Sequence, residues 1–273
     1  MKNLLRSELY KLRVSSIFRR FLIATFLTAV VTIIFINMME GFTEAPQEFL
    51  DQMLVGGVYN FGFIQINNIS DLANMTSLLA ISAAFTNFGF LILMALFVSK
   101  YMKAEFENGG IRNFLLKGFN RNKILLSKYI AMLIAVTIMV CVYFFVYCVA
   151  SFIIFGVIGL DSAFAFSMVA FFVTQLFLII SFSTICFSTL FLSRNISIII
   201  LNAGMVIAGA MAINMIRILS NGQLELSYFW VVDYITALRP GENCNLLLLP
   251  VGIITIALSL FVANWKFKRT EFD

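Results

Sequence analysis

Long apolar stretches alternate with short polar segments along the whole chain. Six of these stretches are about 20 residues or longer, enough to cross a hydrocarbon core about 30 Å thick. None of them contains Lys, Arg, Asp or Glu. No alternating β-barrel pattern is present, so helices must satisfy the backbone within the bilayer. The pattern predicts an all-α integral membrane protein with six transmembrane helices, at residues 21–39, 77–99, about 130–155, about 163–192, 196–216 and 246–265.

Composition supports this interpretation of the apolar stretches. The chain has 273 residues, of which 61% are hydrophobic and 12% are charged. A soluble domain is about half apolar and about one quarter charged. The predicted spans leave no room for a separate soluble domain, so residues 1–273 form one membrane domain. An integral membrane protein of this kind binds lipid.

The positions of the basic residues predict the orientation of the spans. Of the 19 Lys and Arg residues, all but Arg217 and Arg239 lie on one side of the predicted bilayer. On the opposite side, the charged residues of loop 40–75 are all acidic. The positive-inside rule therefore places both termini in the cytoplasm. The sequence pI of about 9.1 reflects this topology and anionic lipid headgroups. We expect no nucleic-acid partner.

Residues 1–20 precede the first predicted span and have two interpretations. Leu5, Leu9 and Leu12 recur at helical spacing, while basic residues such as Arg13 can face water or headgroups. This favours an amphipathic helix that lies in the membrane interface. The alternative is a short basic tail that only sets topology.

Several kinds of chemistry are missing from the sequence. There is no His, which excludes histidine acid–base catalysis and histidine metal ligands. No P-loop motif is present to hold a nucleotide. Ion-driven transporters usually carry an ionisable residue within the membrane, and the predicted spans have none. We therefore expect a non-enzymatic chain without a metal or cofactor of its own, and energy supplied by another chain.

Residues 100–128, between predicted spans two and three, contain the most charged run of the chain. Asn108-Gly109-Gly110 is expected to end the helix of span two, because glycine permits unusual backbone angles. Ile111, Phe114 and Leu115 then share one face of a short helix at i, i+3 and i+4.

Two further residues predict where that short helix ends and where the next helix begins. Gly118 suits its C-terminal cap, and Asn120 suits the N-cap of the next helix. An exposed apolar face of this kind can dock into a groove on a cytoplasmic partner. The alternative is a solvated basic loop, which explains the charges but not the apolar face.

The sequence of this stretch, "EFENGGIRNFLLKGFNRNKILLSK", resembles the segment between spans two and three of type-2 ATP-binding-cassette exporter permeases. An acidic pair, "IRNLL" and "R-x-K-I-x-x-x-K" recur there. The chain has Gly110 where that family usually has Thr. "L-x-x-E-L-Y-K-L-R", from Leu5 to Arg13, resembles the family's interfacial N-terminal helix.

The resemblance implies a permease that pairs with a second permease copy or paralogue and with two separate ATPase subunits, which bind ATP and Mg²⁺. The segment would be the coupling helix that receives the ATPase stroke. By this resemblance, the coupling candidates are Glu105, Glu107, Ile111, Arg112, Phe114, Leu115 and, in a second short turn, Arg194.

Family members of this kind in low-GC Gram-positive bacteria export peptides or amphipathic antimicrobial compounds across the cell membrane, or confer immunity to them. Residue usage here is compatible with such a genome. The alternatives are a non-transporting sensor or immunity protein that binds a peptide at the outer face, an exporter of a small drug or ion, and a channel that needs no ATPase.

Two stripes within the spans are candidates for packing or for a substrate path. A polar stripe in span four either packs against a neighbouring helix, which we favour, or lines a conduit. It comprises Thr174, Gln175, Ser181, Thr184 and Ser188. Gly204, Ala208 and Ala212 form a small-residue stripe in span five, which predicts close helix packing. Loop 217–245 is apolar enough to lie in the outer interface or to re-enter it.

Overall fold

The structure is a computed structural model, and the part of the chain that it describes is mostly helical. The described residues are 2–39, 54–55, 58–61, 64–66, 81, 83–155, 162–192, 200–202, 204–205, 208–209, 231–232, 235 and 248–269. The helices are α1 (Lys2–Val14), α2 (Ser16–Met39), α3 (Phe88–Glu107), α4 (Gly110–Leu116), α5 (Arg121–Phe155), α6 (Ser162–Leu192) and α7 (Leu248–Arg269), with a short 3₁₀ helix at Ala83–Thr86.

Three short strands lie within the predicted loop 40–75. They are β1 (Leu54–Val55), β2 (Val58–Phe61) and β3 (Ile64–Ile66). They form an antiparallel sheet in the order β1-β2-β3, with Tyr59 opposite Ile66. This small sheet was not part of the all-α prediction. Its β-branched and aromatic residues have high strand propensity.

Within the described part of the chain, four helices are long and apolar enough to cross a membrane, and they make the chain a multi-pass membrane protein. They cover Ser16–Met38, Arg121–Phe155, Phe166–Phe191 and Leu248–Arg269. Large apolar side chains such as Val31 on α2 and Phe261 on α7 are exposed. In a bilayer these faces contact lipid.

The predicted second span, 77–99, is not one continuous helix. The backbone of Asn87 is extended (φ −75°, ψ 103°), and α3 begins only at the next residue. The amide of Gly89 donates a hydrogen bond of 2.8 Å to Asn87 Oδ1. Asn87 also donates to Thr32 Oγ1 on α2. This N-cap overrides the apolar continuity of the sequence. Most of the predicted fifth span, 196–216, lies outside the described residues.

A buried aromatic cluster lies beside this break. Phe90 stacks on Tyr143 of α5 with ring centroids 3.9 Å apart, and Phe85 contacts both rings. The Tyr143 hydroxyl donates to the carbonyl of Ala84 at 2.7 Å. The 3₁₀ segment is therefore held against α5.

Helices α6 and α7 approach closely at a glycine. A Cβ atom built on Gly252 would lie 2.3 Å from Phe177 Cε1 and 3.2 Å from Ser181 Oγ. The Ser181 hydroxyl also approaches the carbonyl of Gly252 at 3.5 Å. Small residues at a membrane helix contact let the two backbones approach in this way.

The N-terminal helix buries a different line of residues from the one predicted. Leu4, Glu8 and Leu12 are buried, whereas Leu5 and Leu9 are only half-buried. The buried line packs on α5. The spacing of the leucines did not predict this buried line, because its middle residue, Glu8, is an acid.

The predicted helix over residues 1–20 is also shorter than expected. Helix α1 ends at Val14, and α2 begins at Ser16. Between them, Ser15 Oγ accepts a hydrogen bond of 3.4 Å from the amide of Phe18. A serine side chain at this position satisfies one of the free amides of a helix start.

Candidate functional site

The short helix α4 has a well-defined C-terminal end. Gly118 has φ +78°, and its amide donates to the carbonyl of Leu115 at 2.9 Å. The amide of Phe119 donates to the carbonyl of Phe114 at 3.2 Å, which completes a Schellman cap. The rings of these two phenylalanines are 6.0 Å apart. The prediction that Gly118 caps this helix is confirmed.

The next helix begins as predicted. Asn120 Oδ1 accepts a hydrogen bond of 3.0 Å from the amide of Asn122. Arg121 donates to the carbonyl oxygens of Phe267 and Lys268 at 3.2 and 2.9 Å. The start of α5 is therefore joined to the C-terminal end of α7, where free carbonyl groups attract a cation.

The apolar face of α4 points into the protein, so the prediction that this face is exposed is wrong. Ile111 is 1% exposed, and Phe114 and Leu115 are half-buried against the hydrophobic core. The i, i+3, i+4 spacing correctly groups the three residues. It does not reveal that α3 and α5 already cover them.

A different set of residues forms the outer surface of this segment. Leu116 is 77% exposed and Phe119 is 38% exposed. Arg112 and Lys117 are also exposed. We call these four residues the outer face of α4, although Lys117 and Phe119 lie just after its last residue. It combines two apolar side chains with two cations.

A buried cluster of ions lies beneath α4. Lys128 Nζ, on a side chain that is 1% exposed, is 3.2 Å from Glu8 Oε2 and also contacts Glu105 Oε2. Lys11 Nζ is 3.2 Å from Glu8 Oε1 and 3.7 Å from Glu105 Oε2. We call these four residues the ion cluster. It brings together α1, α3 and α5 with two acids and two bases.

Both lysines of the ion cluster also contact α4. Lys11 Nζ lies 4.8 Å from the ring centroid of Phe114, and Lys128 Nζ lies 5.6 Å from it. An ammonium group within about 6 Å of an aromatic ring is attracted to its negative face. Phe114 is thus in contact with two helices besides its own.

Tyr101 lies beside the ion cluster on α3. Its hydroxyl is buried and has no hydrogen-bond partner among the described residues. Burial, followed by the negative charges of Glu8 and Glu105, raises the pKa of Tyr101 above its ordinary value. The hydroxyl therefore stays neutral.

Glu107, the other predicted acidic candidate, lies apart from the ion cluster. It is 65% exposed and pairs with Lys103 at 3.4 Å on the same helix. An exposed i, i+4 pair of this type contributes little stability. Arg194, the candidate in the second turn, lies outside the described residues.

The polar stripe on α6 makes mostly helix-to-helix contacts. Gln175 Nε2 donates to the carbonyl of Ile235 at 2.9 Å, and Thr184 Oγ1 is 3.0 Å from the Tyr129 hydroxyl. Thr174 is half-buried, and Ser188 donates to a carbonyl of its own helix. Whether the stripe also lines a conduit stays a prediction.

The small-residue stripe of span five is described only in part. A Cβ built on Gly204 meets nothing within 4 Å in the described structure, and Ala208 is exposed. Ala212 lies outside the described residues. Close packing of this stripe therefore stays a prediction.

Sequence reasoning missed Glu8 and Lys128 as site residues. The available signal was a single acid between Leu4 and Leu12 at helical spacing, on a helix that is otherwise basic. It also missed Asn202, which donates to Ser99 Oγ at 2.9 Å and accepts from Thr189 Oγ1 at 2.7 Å.

Comparison with known proteins shows the family of the chain. A family model described as "Protein of unknown function (DUF2705)" matches residues 25–272. The chain belongs to this family. A search of the curated proteins finds no match. The matched range includes Glu105, Phe114 and Lys128 but not α1.

Proposed function

We propose that this chain is the membrane-spanning subunit of an ATP-driven exporter that moves peptides or amphipathic antimicrobial compounds out of the cell or membrane. One observation supports the proposal most strongly. The short helix α4, which has a Schellman cap at its C-terminal end, connects α3 to α5 and packs its inner face against the hydrophobic core, while Arg112 and Leu116 are exposed. A helix held in this way can receive a push from a partner and pass it to two long helices.

The proposed topology has six spans and both termini in the cytoplasm. In this orientation α4, the start of α5 and the end of α7 face the cytoplasm, where an ATPase subunit is located. The excess of Lys and Arg in these segments supports that orientation.

The outer face of α4 is the proposed docking surface. Leu116 and Phe119 supply apolar anchors, and Arg112 and Lys117 supply positive charge beside them. The complementary surface on the ATPase subunit is an apolar groove with carboxylates at its rim. The inner residues Ile111, Phe114 and Leu115 carry the push inward instead of binding the partner.

The proposed assembly contains two ATPase subunits and a second permease copy or paralogue. ATP and Mg²⁺ bind to the ATPase subunits, and this chain hydrolyses nothing. The proposed location is the cytoplasmic membrane of a low-GC Gram-positive bacterium.

The docking surface is tested by co-expression with the ATPase subunit that we expect to be encoded beside this chain. We expect the ATPase to co-purify with the wild type and with a Lys268→Glu control, which changes an exposed cation on α7. We expect Arg112→Glu with Leu116→Asp to abolish co-purification while leaving the melting temperature unchanged, because both side chains are exposed. Retention of the ATPase by this double variant contradicts the docking surface, and its absence from the wild type contradicts the exporter.

The substrate class is tested separately. A photocrosslinking residue at Thr174, on the half-buried edge of the α6 stripe, is expected to label a cationic amphipathic peptide in the assembled complex. The same group at Val173, which is 56% exposed on the adjacent face, serves as the control. Equal labelling at both positions indicates lipid-borne peptide and contradicts a path along the stripe.

A further inference from the structure

Phe114 is the contact between α4 and the ion cluster. Its ring lies 4.8 Å from Lys11 Nζ of α1 and 5.6 Å from Lys128 Nζ of α5. Two ammonium groups from two other helices thus attract one ring of α4. Such attraction is stronger where water is excluded, and Lys128 is almost fully buried.

The two glutamates hold these ammonium groups in place. A lysine side chain is a flexible stem with a point charge, so its position depends on its partners. Glu8 contacts both Lys11 and Lys128, and Glu105 contacts the same two lysines. With two acids and two bases, the ion cluster is neutral when all four groups are charged, and no buried charge is left without a partner.

We propose that Glu8, Lys11 and Lys128 are positioning residues for α4. Together they form a cation–π clamp that fixes α4 through the Phe114 ring and attaches the N-terminal helix α1 to it. In this proposal α1 is more than an interfacial anchor or a topogenic tail. Together with α3 and α5, helix α1 supports the outer face of α4.

The clamp also defines how a displacement of α4 spreads, a consequence that rests on the proposed function. A push on the outer face of α4 reaches α5 through Lys128 and α1 through Lys11. Helix α1 continues into the membrane helix α2 after Ser15. A displacement of the Phe114 ring therefore moves both α2 and α5, although these membrane helices are far apart in sequence.

The clamp is tested on the full-length chain in lipid nanodiscs by amide hydrogen exchange, which measures local opening. Phe114→Leu keeps apolar bulk but removes the aromatic face, whereas Phe114→Trp keeps a stronger one. We expect residues 110–116 to exchange roughly fivefold or more faster in Phe114→Leu and in Lys11→Gln, and near the wild-type rate in Phe114→Trp. The control is Lys103→Gln, which removes a surface ion pair on α3 and is expected to change nothing there.

The clamp is overturned if residues 110–116 of Phe114→Leu exchange at the wild-type rate. It is also overturned if Phe114→Leu and Phe114→Trp accelerate exchange equally. If Phe114→Leu accelerates exchange in every helix because it unfolds, Lys11→Gln decides, since Lys11 is 41% exposed and its loss does not open the core. Wild-type exchange in that variant then overturns the proposal.

A second measurement separates the clamp from the proposed function. With the ATPase subunit present, Lys11→Gln is expected to bind it as the wild type does but to support less ATP turnover in the complex. Unchanged turnover overturns the role of α1 in transmission. If the wild type binds no ATPase, the proposed function fails, and the exchange results alone decide whether the clamp exists.

Discussion

The carboxylate of Glu105 occupies the space beside Gly110 that a larger residue at position 110 would need. A Cβ atom built there would lie 2.5 Å from Glu105 Oε2. A surface glutamate would simply swing away. Here the same oxygen contacts Lys128 and lies 3.7 Å from Lys11 Nζ, so it is held in place. Glycine at this position is therefore a requirement of the ion cluster, not only a helix breaker.

We predict that Gly110→Ala destabilises the protein, although alanine normally favours a helix. The methyl group displaces the Glu105 carboxylate, and overpacking of this kind costs about 1–3 kcal/mol. Thermal unfolding in detergent measures the loss. In a Glu105→Ala background the same change should have no such effect, because the obstructing carboxylate is gone. An equal loss in both backgrounds contradicts this explanation.

Removal of the shared lysine is predicted to be far more damaging than removal of a surface lysine. Lys128→Met leaves Glu8 and Glu105 with only the half-exposed Lys11, and loss of one partner from a buried ion pair costs about 3–5 kcal/mol. Lys103→Met breaks an exposed pair with Glu107 and should cost less than about 1 kcal/mol. The two variants are compared by their melting temperatures. Similar decreases in melting temperature would show that the ion cluster contributes no more stability than an exposed ion pair.

Tyr101→Phe is predicted to leave stability unchanged or to raise it by up to about 1 kcal/mol. The hydroxyl it removes is buried and unpaired among the described residues, so no hydrogen bond is lost.

The stability difference between Tyr101→Phe and the wild type should grow at alkaline pH. The pKa of Tyr101 is raised in the folded state, so above the ordinary value of 10.0 the unfolded chain releases a proton that the folded chain keeps. Stability of the wild type then falls as pH rises, and the Phe variant should lose less between pH 9 and 11, as unfolding at the two pH values will show.

Gly252→Val is predicted to separate α6 from α7. Its side chain would collide with the Phe177 ring, which a Cβ alone approaches to 2.3 Å. We expect a loss of about 1–3 kcal/mol, typical of overpacking at a tight contact. Ile253→Val, which changes a 58% exposed side chain next to Gly252, is the control. Crosslinking between α6 and α7 together with melting temperature measures both variants, and equal effects contradict the role of the close approach.

Local signals in the sequence were sufficient for the C-terminal end of α4 and for the start of α5. Gly118 and Asn120 act through hydrogen bonds to residues at most four or five positions away, so the local sequence contains the whole interaction. The apolar runs likewise identify membrane helices, because length and hydropathy decide whether a helix can cross a bilayer. The break at Asn87 was missed because one capping side chain outweighed a long apolar pattern.

The ion cluster was beyond this kind of reasoning. Glu8 and Lys128 look like ordinary polar residues of a basic flank until the fold brings them within 3.2 Å. The spacing of Ile111 and Phe114 shows that they share a face, but only the packing of α3 and α5 shows that this face is turned inward. The spacing of Leu4, Glu8 and Leu12 indicates that Glu8 shares a face with apolar residues, but the sequence does not indicate that Lys128 is its partner.

The first turns of α5 make contacts both with α1, which is synthesised earlier, and with α7, which is synthesised later. Lys128 binds Glu8, which was made 120 residues before it, and Arg121 binds the carbonyl of Phe267, which is made 146 residues after it. At ~5–20 residues per second, the ribosome needs about 6–24 s to travel from Glu8 to Lys128. During that interval the acid at position 8 has no buried partner and must remain in water. Docking of α1 therefore follows insertion of α5, and α7 can join the same point only after a further 146 residues have been made.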